Sequence, residues 1–89
     1  MYKLIEQKIT EEQNKQTGEW YIERDDVVSP LPEFTDKDKA ESAWHLTMAY
    51  AKDPALSKVD IHSVTLIDHT GAVVLSECCY HRQPREETD

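Results

Sequence analysis

The sequence predicts an α+β domain with the element order β-β-α-β-β, in which a single helix packs on one face of a four-stranded, mainly antiparallel sheet. Three observations predict it. Residues 36–52 carry apolar side chains at helical spacing, the segments on either side alternate with a period of two, and turn-forming residues separate the strands of each pair. With 89 residues, the chain has the length of one domain, which we place at residues 1–81.

The first two strands are expected at residues 2–9 and 19–28. Residues 10–18 between them hold no apolar side chain and end in glycine, so we expect a hairpin loop there. The second strand alternates as a half-buried antiparallel strand does. One of its faces carries Trp20, Ile22 and Arg24.

The helix is expected at residues 36–52, with Thr35 as its N-cap and Asp53-Pro54 at its end. Its apolar side chains recur at intervals of three and four residues, which places them on one stripe facing the sheet. The stripe consists of Ala40, Ala43, Trp44, Thr47, Met48 and Ala51.

Residues 58–81 are expected to form a second hairpin, with Gly71 supplying the positive φ that its turn requires. Apolar side chains occur at both the odd-numbered and the even-numbered positions of these strands, and so on both faces of the hairpin. This is typical of inner strands that are covered on both sides. One helix covers one face of a sheet, so one apolar group is left uncovered. That group is either Val64, Leu66, Val73 and Leu75, or Ile61, Ile67 and Val74. We assign the first group, together with Trp20 and Tyr21, as a candidate interface, because uncovered apolar patches tend to be interaction sites.

The formal net charge is −8, from 18 acidic and 10 basic side chains. Direct binding of nucleic acid or of acidic lipid headgroups is therefore not expected, since both need a basic surface. A protein partner with a basic surface is the natural electrostatic match. The candidate partner-binding acids are Glu19, Glu23, Asp25, Asp26, Glu33, Asp36 and Asp38. No apolar run reaches membrane-spanning length and the N-terminus lacks a secretory signal, so the cytoplasm is the expected compartment.

The second hairpin also gathers the residues that most resemble a chemical site: His62, His69, His81, Cys78 and Cys79. Structural zinc sites use spaced cysteine pairs, whereas these two cysteines are adjacent and the histidines fall on different faces. We therefore expect two reduced thiols, no metal or other cofactor, and no catalytic residues. A vicinal dithiol sensor and a small metal- or ligand-binding protein are the alternatives.

These observations favour a non-enzymatic protein-binding module over a self-associating structural or accessory subunit, which would form a homodimer through the open sheet face. In size, acidity and lack of a catalytic motif, the chain is similar to small phage- or mobile-element-encoded inhibitors, anti-CRISPR proteins among them. That resemblance implies a protein that blocks a basic, nucleic-acid-binding surface of its target. The charged segment at residues 82–89 is expected to be disordered.

Overall fold

A computed structural model describes residues 1–29 and 31–82, and within them one antiparallel sheet is backed by helices. Its elements are β1 (Lys3–Gln13), β2 (Trp20–Val28), α1 (Lys37–Lys52), α2 (Pro54–Ser57), β3 (Ile61–Ile67) and β4 (Val73–Tyr80). The strands are ordered β2-β1-β3-β4, and every neighbouring pair is antiparallel. This confirms the predicted α+β class and element order. In the described residues no helix has the length and apolar character to cross a membrane.

The helix begins one residue later than predicted. Asp36, not Thr35, is the N-cap: its carboxylate accepts hydrogen bonds from the backbone N–H groups of Asp38 and Lys39 at 2.8 and 3.3 Å. Both residue types are good caps, so composition alone does not choose between neighbours. The predicted end is confirmed, because Asp53 closes α1 and its side chain then caps α2 through Ala55 N–H at 3.0 Å.

The first strand is longer than its apolar pattern predicts. β1 continues through the polar residues to Gln13, and the connecting turn is confined to residues 14–19. The Asn14 N–H donates to Glu19 O at 2.8 Å, and Gly18 takes a φ of +75°. Polar side chains are compatible with a strand here because the β2 residues that pair with this end of β1 are exposed to solvent.

The core lies between α1 and the centre of the sheet. The fully or almost fully buried apolar side chains are Leu4, Ala40, Trp44, Met48, Ala51, Val64 and Leu66. Trp44 Nε1 also donates to Val64 O at 3.0 Å, which fixes the helix against β3. The predicted helical stripe is thus confirmed at Ala40, Trp44, Met48 and Ala51, whereas Ala43 and Thr47 are half-buried.

This packing corrects the candidate interface on the second hairpin. Val64 and Leu66 are 0% exposed, and Leu75 is half-buried against the same core. These three side chains lie under the helix and cannot form the uncovered face.

Two β-bulges explain which side chains do face away from the helix. Thr10 is opposite Arg24 but Glu11 is opposite Ile22, so Glu23 is an extra residue in β2. Alternation breaks at a bulge, which puts Trp20 and Ile22 on the opposite face from Arg24 and overturns the predicted parity.

The second bulge lies in β4. Leu66 is opposite Leu75 and Ile67 is opposite Val73, so Val74 is the extra residue. Val73 therefore shares the open face with Ile61 and Ile67, members of the other predicted group. The prediction of two inner strands holds for β3 alone, because β4 is an edge strand.

The helix covers only part of the sheet. α1 packs on β3 and β4 and reaches β1, while β2 is exposed along almost its whole length. Four strands at about 4.8 Å spacing span about 14 Å between the outer strand axes. A helix with its side chains is about 10 Å wide, so one helix leaves a strand uncovered. Of the predicted disordered tail, residues 83–89 lie outside the described residues; Arg82 is described and packs on β2.

Candidate functional site

Strand β2 carries the most exposed apolar surface near the predicted acidic residues. Ile22 and Val27 are 58% and 64% exposed, and both lie on the open face because the bulge at Glu23 comes between them. Tyr21 and Val28 are exposed on the other face of the strand. We call the following residues the β2 surface: Glu19, Trp20, Tyr21, Ile22, Glu23, Asp25, Asp26, Val27 and Val28. An edge strand that is apolar on both faces offers a partner side-chain contact as well as unpaired backbone groups.

The charges of the β2 surface are predominantly negative. Residues 19–28 hold four carboxylates against the single guanidinium of Arg24. Asp26 pairs with Arg24 at 2.6 Å, and Asp25 accepts a hydrogen bond from Gln7 Nε2 at 3.0 Å. Glu23 stands at the bulge. The structure therefore brings three of the predicted acids, Glu23, Asp25 and Asp26, onto one short exposed segment.

The other predicted acids lie elsewhere. Glu33, Asp36 and Asp38 belong to the loop and helix start beside the beginning of β1, where Tyr2 and Phe34 exchange backbone hydrogen bonds of 2.7 and 2.8 Å. Glu19 lies at the opposite end of β1, about 33 Å away by strand rise. The Asp36 carboxylate is also occupied in capping α1. The seven acids thus form two groups and not one continuous patch.

The hairpin end of β2 holds a guanidinium group. The Arg82 guanidinium carbon lies 3.3 Å from the ring centroid of Trp20 and 5.5 Å from that of Tyr80. Its Nη2 is 3.6 Å from Glu11 Oε1 and donates to the Tyr80 hydroxyl. We call Glu11, Trp20 and Tyr80 the guanidinium cradle. Sequence reasoning identified Trp20 as an interface residue but missed Glu11 and Arg82, since three strands and a loop bring them together.

A buried polar network lies on the helix-covered face. His62 Nδ1 is 2.9 Å from Ser57 Oγ, and its Nε2 is 3.0 Å from Glu6 Oε1. All three residues are buried, with His62 only 3% exposed. An ionised carboxylate only accepts, so Nε2 carries a proton towards Glu6, and a neutral imidazole then accepts from the Ser57 hydroxyl at Nδ1. The network ties β1, β3 and α2 together.

The composition of this network is that of a hydrolytic triad, but its surroundings differ from one. Acyl transfer needs N–H donors aimed at a developing oxyanion beside the nucleophile. The Ser57 and Lys58 N–H groups already donate to Asp53 O and Pro54 O at 2.8 and 3.2 Å. Glu6, Ser57 and His62 line a shallow groove of about 300 Å³, whose rim also includes Leu31, Leu46, Tyr50 and Leu56. We assign Glu6, Ser57 and His62 a structural role.

The hairpin histidines and cysteines do not converge. His81 Nε2 is 3.1 Å from Ala51 O, His69 is exposed in the turn, and His62 belongs to the buried network. Within residues 1–29 and 31–82, no group of three His, Cys, Asp or Glu side chains is arranged to hold a metal ion.

The two cysteines are free thiols with different surroundings. Cys78 is exposed and Cys79 is half-buried. Desolvation, reinforced by the Glu77 charge, raises the pKa of the Cys79 thiol above its ordinary value. A raised pKa lowers the fraction of the reactive thiolate at neutral pH, which does not favour a dithiol sensor.

The chain matches no protein-family model, no curated protein and no solved structure.

Proposed function

We propose that this chain is a non-enzymatic protein-binding module whose partner presents a basic surface to the β2 surface. The observation that carries the proposal is the combination found on β2: apolar side chains exposed on both faces of an edge strand, interleaved with carboxylates. The exposed apolar groups supply contact area, and the carboxylates select a basic partner over neutral or acidic ones.

The biological role that fits this surface is inhibition of a nucleic-acid-binding protein. Such proteins carry basic surfaces that bind phosphates, and an acidic protein of net charge −8 competes for the same lysine and arginine side chains. Size, acidity and the similarity to phage- and mobile-element-encoded inhibitors support this role, and so does the exposure of Asp25 and Glu23 on one strand.

Charge-neutralising variants test the proposal on a partner that is first captured from a lysate and then purified. The change Asp25→Asn/Asp26→Asn removes two charges from the β2 surface. At low salt we expect it to weaken binding about tenfold, from about 0.7 kcal/mol for each exposed ion pair. The difference should shrink at high salt because exposed pairs are screened. The affinity is measured by isothermal titration calorimetry over a range of salt concentrations.

The matched control removes the same charge from the other acidic group. Glu33 and Asp38 lie beside the beginning of β1, whereas Asp25 and Asp26 pair with Ile9 and Lys8 near its middle. Glu33→Gln/Asp38→Asn should therefore leave the affinity within about twofold. A partner that binds both double variants and the parent equally well would overturn the assignment to the β2 surface. Competition is the second requirement: the chain must displace nucleic acid from the purified partner, and simultaneous binding of both would refute the inhibitor role.

The open sheet face continues beyond the part of the β2 surface that lies on it, namely Trp20, Ile22, Asp25 and Val27. It carries Ile5, Ile9, Ile61, Ile67 and Val73, interrupted by Thr65 and Ser76, whose hydroxyl oxygens are 2.9 Å apart. A homodimer through this face stays a prediction, which light scattering of the purified chain tests. A dimer that persists in Ile61→Ser/Ile67→Ser would refute the sheet-face version of it.

A further inference from the structure

We propose that the guanidinium cradle of Glu11, Trp20 and Tyr80 is a binding site for an arginine side chain of the partner, and that Arg82 occupies it as an internal competitor in the free protein. This inference deepens the proposed function and rests on it for the identity of the partner. The cradle itself can be tested without any partner.

The geometry identifies the preferred ligand because a guanidinium is already seen in the cradle. The Arg82 guanidinium carbon lies 3.3 Å from the Trp20 ring centroid, with Tyr80 at 5.5 Å and the Glu11 carboxylate at 3.6 Å from Nη2. Tryptophan offers the best aromatic face for a cation. A planar guanidinium stacks on the ring and donates from its edge at the same time, which a lysine ammonium cannot do.

The cradle lies where a basic partner would first meet the molecule. It stands at the hairpin end of the β2 surface, and Trp20 belongs to both. Glu11, Glu12 and Glu19 surround this end, with Lys15 as the basic residue of the turn. A partner arginine entering here would extend the contact made along Ile22 and Asp25.

Arg82 is an occupant that can be displaced. Its side chain remains 35% exposed while that of Glu11 is 16% exposed. Its anchorage consists of cation–π contacts with Trp20 and Tyr80, a hydrogen bond to the Tyr80 hydroxyl and one ion pair with Glu11. Contacts of these kinds are individually weak near the surface. The last backbone hydrogen bond before it runs from His81 N–H to Asp60 O at 2.6 Å. The arginine side chain can therefore leave while the strand that precedes it stays paired.

A pair of charge-matched variants tests the competition. Arg82→Gln removes the Arg82 guanidinium from the cradle, and Lys52→Gln removes the same charge from the end of α1, where Lys52 pairs with Glu77 at 3.5 Å. The probe is hexa-arginine, with hexa-lysine as a peptide of equal charge. We expect Arg82→Gln to tighten hexa-arginine binding about tenfold, equivalent to about 1.4 kcal/mol, and Lys52→Gln to change it less than twofold.

The two tryptophans give an internal spectroscopic control. Binding is followed by the indole N–H resonances in a two-dimensional ¹H–¹⁵N spectrum. Trp20 should shift with hexa-arginine, whereas Trp44, whose indole N–H is bonded to Val64 O inside the core, should not. In Arg82→Gln, hexa-lysine should bind at least threefold more weakly than hexa-arginine.

Equal effects of Arg82→Gln and Lys52→Gln would overturn the proposal, since they would show a general charge effect. An unmoved Trp20 resonance would overturn it too. These results are separable from the proposed function. If hexa-arginine ignores the cradle while the partner still responds to Asp25→Asn/Asp26→Asn, the cradle is refuted and the β2 surface stands. The converse pattern refutes the β2 surface and retains the cradle.

Discussion

The Glu6–His62–Ser57 network makes a quantitative prediction about the stability of the fold. His62→Leu leaves the Glu6 carboxylate, in a residue only 7% exposed, without its Nε2–H donor. Leaving a buried carboxylate without the donor that compensates its charge costs about 3–5 kcal/mol. Because leucine adds apolar burial in return, we expect a net loss of about 3 kcal/mol. The total free energy of unfolding for a domain of this length is about 4–13 kcal/mol, so the effect is large.

Two further variants complete a double-mutant cycle for Glu6 and His62 and test whether the two residues act as a pair. Glu6→Leu leaves a neutral imidazole with one unsatisfied N–H, which costs about 1–2 kcal/mol. The double variant Glu6→Leu/His62→Leu replaces the pair by apolar side chains beside the core and should lie within about 1 kcal/mol of the parent. The expected coupling energy between the two sites is therefore about 4 kcal/mol.

Urea denaturation followed by circular dichroism measures the four free energies. His69→Leu is the matched control, because it makes the same change at an exposed turn position and should stay within about 0.5 kcal/mol. If the double variant loses the sum of the two single losses, then Glu6 and His62 do not act as a pair, and the argument from the buried network fails.

Two smaller predictions concern the N-cap of α1 and the turn between β3 and β4. Asp36→Ala should lower the free energy of unfolding by about 1 kcal/mol, and Thr35→Ala by less than about 0.5 kcal/mol, because of the two only Asp36 accepts hydrogen bonds from the helix N–H groups. Urea denaturation of both variants measures the two losses. A larger loss for Thr35→Ala would contradict the assignment of Asp36 as the N-cap. Hydrogen bonds from the Thr70 hydroxyl and backbone lower the pKa of Asp68 below its ordinary value of 3.8. Its contribution to stability is therefore present above pH 3.8 and lost as the pH falls through the lower folded value. Asp68→Asn should remove that part of the pH dependence in thermal unfolding below pH 4, and an unchanged slope would contradict it.

The sequence predicts most of the fold because its signals are local. Helical spacing from Ala40 to Ala51 depends on one element, and the stop at Asp53-Pro54 depends on two adjacent residues. Turn chemistry is equally local, and Gly71 takes a φ of +86° as expected. The predicted N-cap is one residue too early because threonine and aspartate are both favoured N-cap residues, so the sequence does not distinguish Thr35 from Asp36.

The assignment of faces fails because it depends on the sheet as a whole. Counting parity assumes that alternation is continuous, and the bulges at Glu23 and Val74 interrupt it. Nothing in the local pattern marks either position. The prediction that Val64 and Leu66 face outward was wrong for a related reason. Both parities of β3 are apolar, so only the position of the helix decides which of them is buried.

The sites are the least accessible to sequence reasoning because their members are distant in the chain. Glu6 and His62 are 56 residues apart, and the antiparallel β1–β3 register brings them together. Arg82 reaches Trp20 only because β1 extends beyond β3 at the hairpin end. His62 alternates in phase with Val64 and Leu66, which the sequence predicted to face outward, so nothing in the local pattern pointed towards the network.

The exposure of β2 follows from the dimensions of the parts and not from any one side chain. A helix of 16 residues is long enough for the sheet but about two strands wide. It can therefore cover only one half of the sheet, and its buried alanines, Ala40 and Ala51, let it pack closely on β3 and β4. The opposite edge strand is then uncovered on the helix side as well as on the open side. Trp20, Ile22 and Val27 on this strand expose apolar surface, and burying that surface against a partner would stabilise the complex. The neighbouring carboxylates oppose pairing with a second β2 strand of equal charge and favour a basic partner.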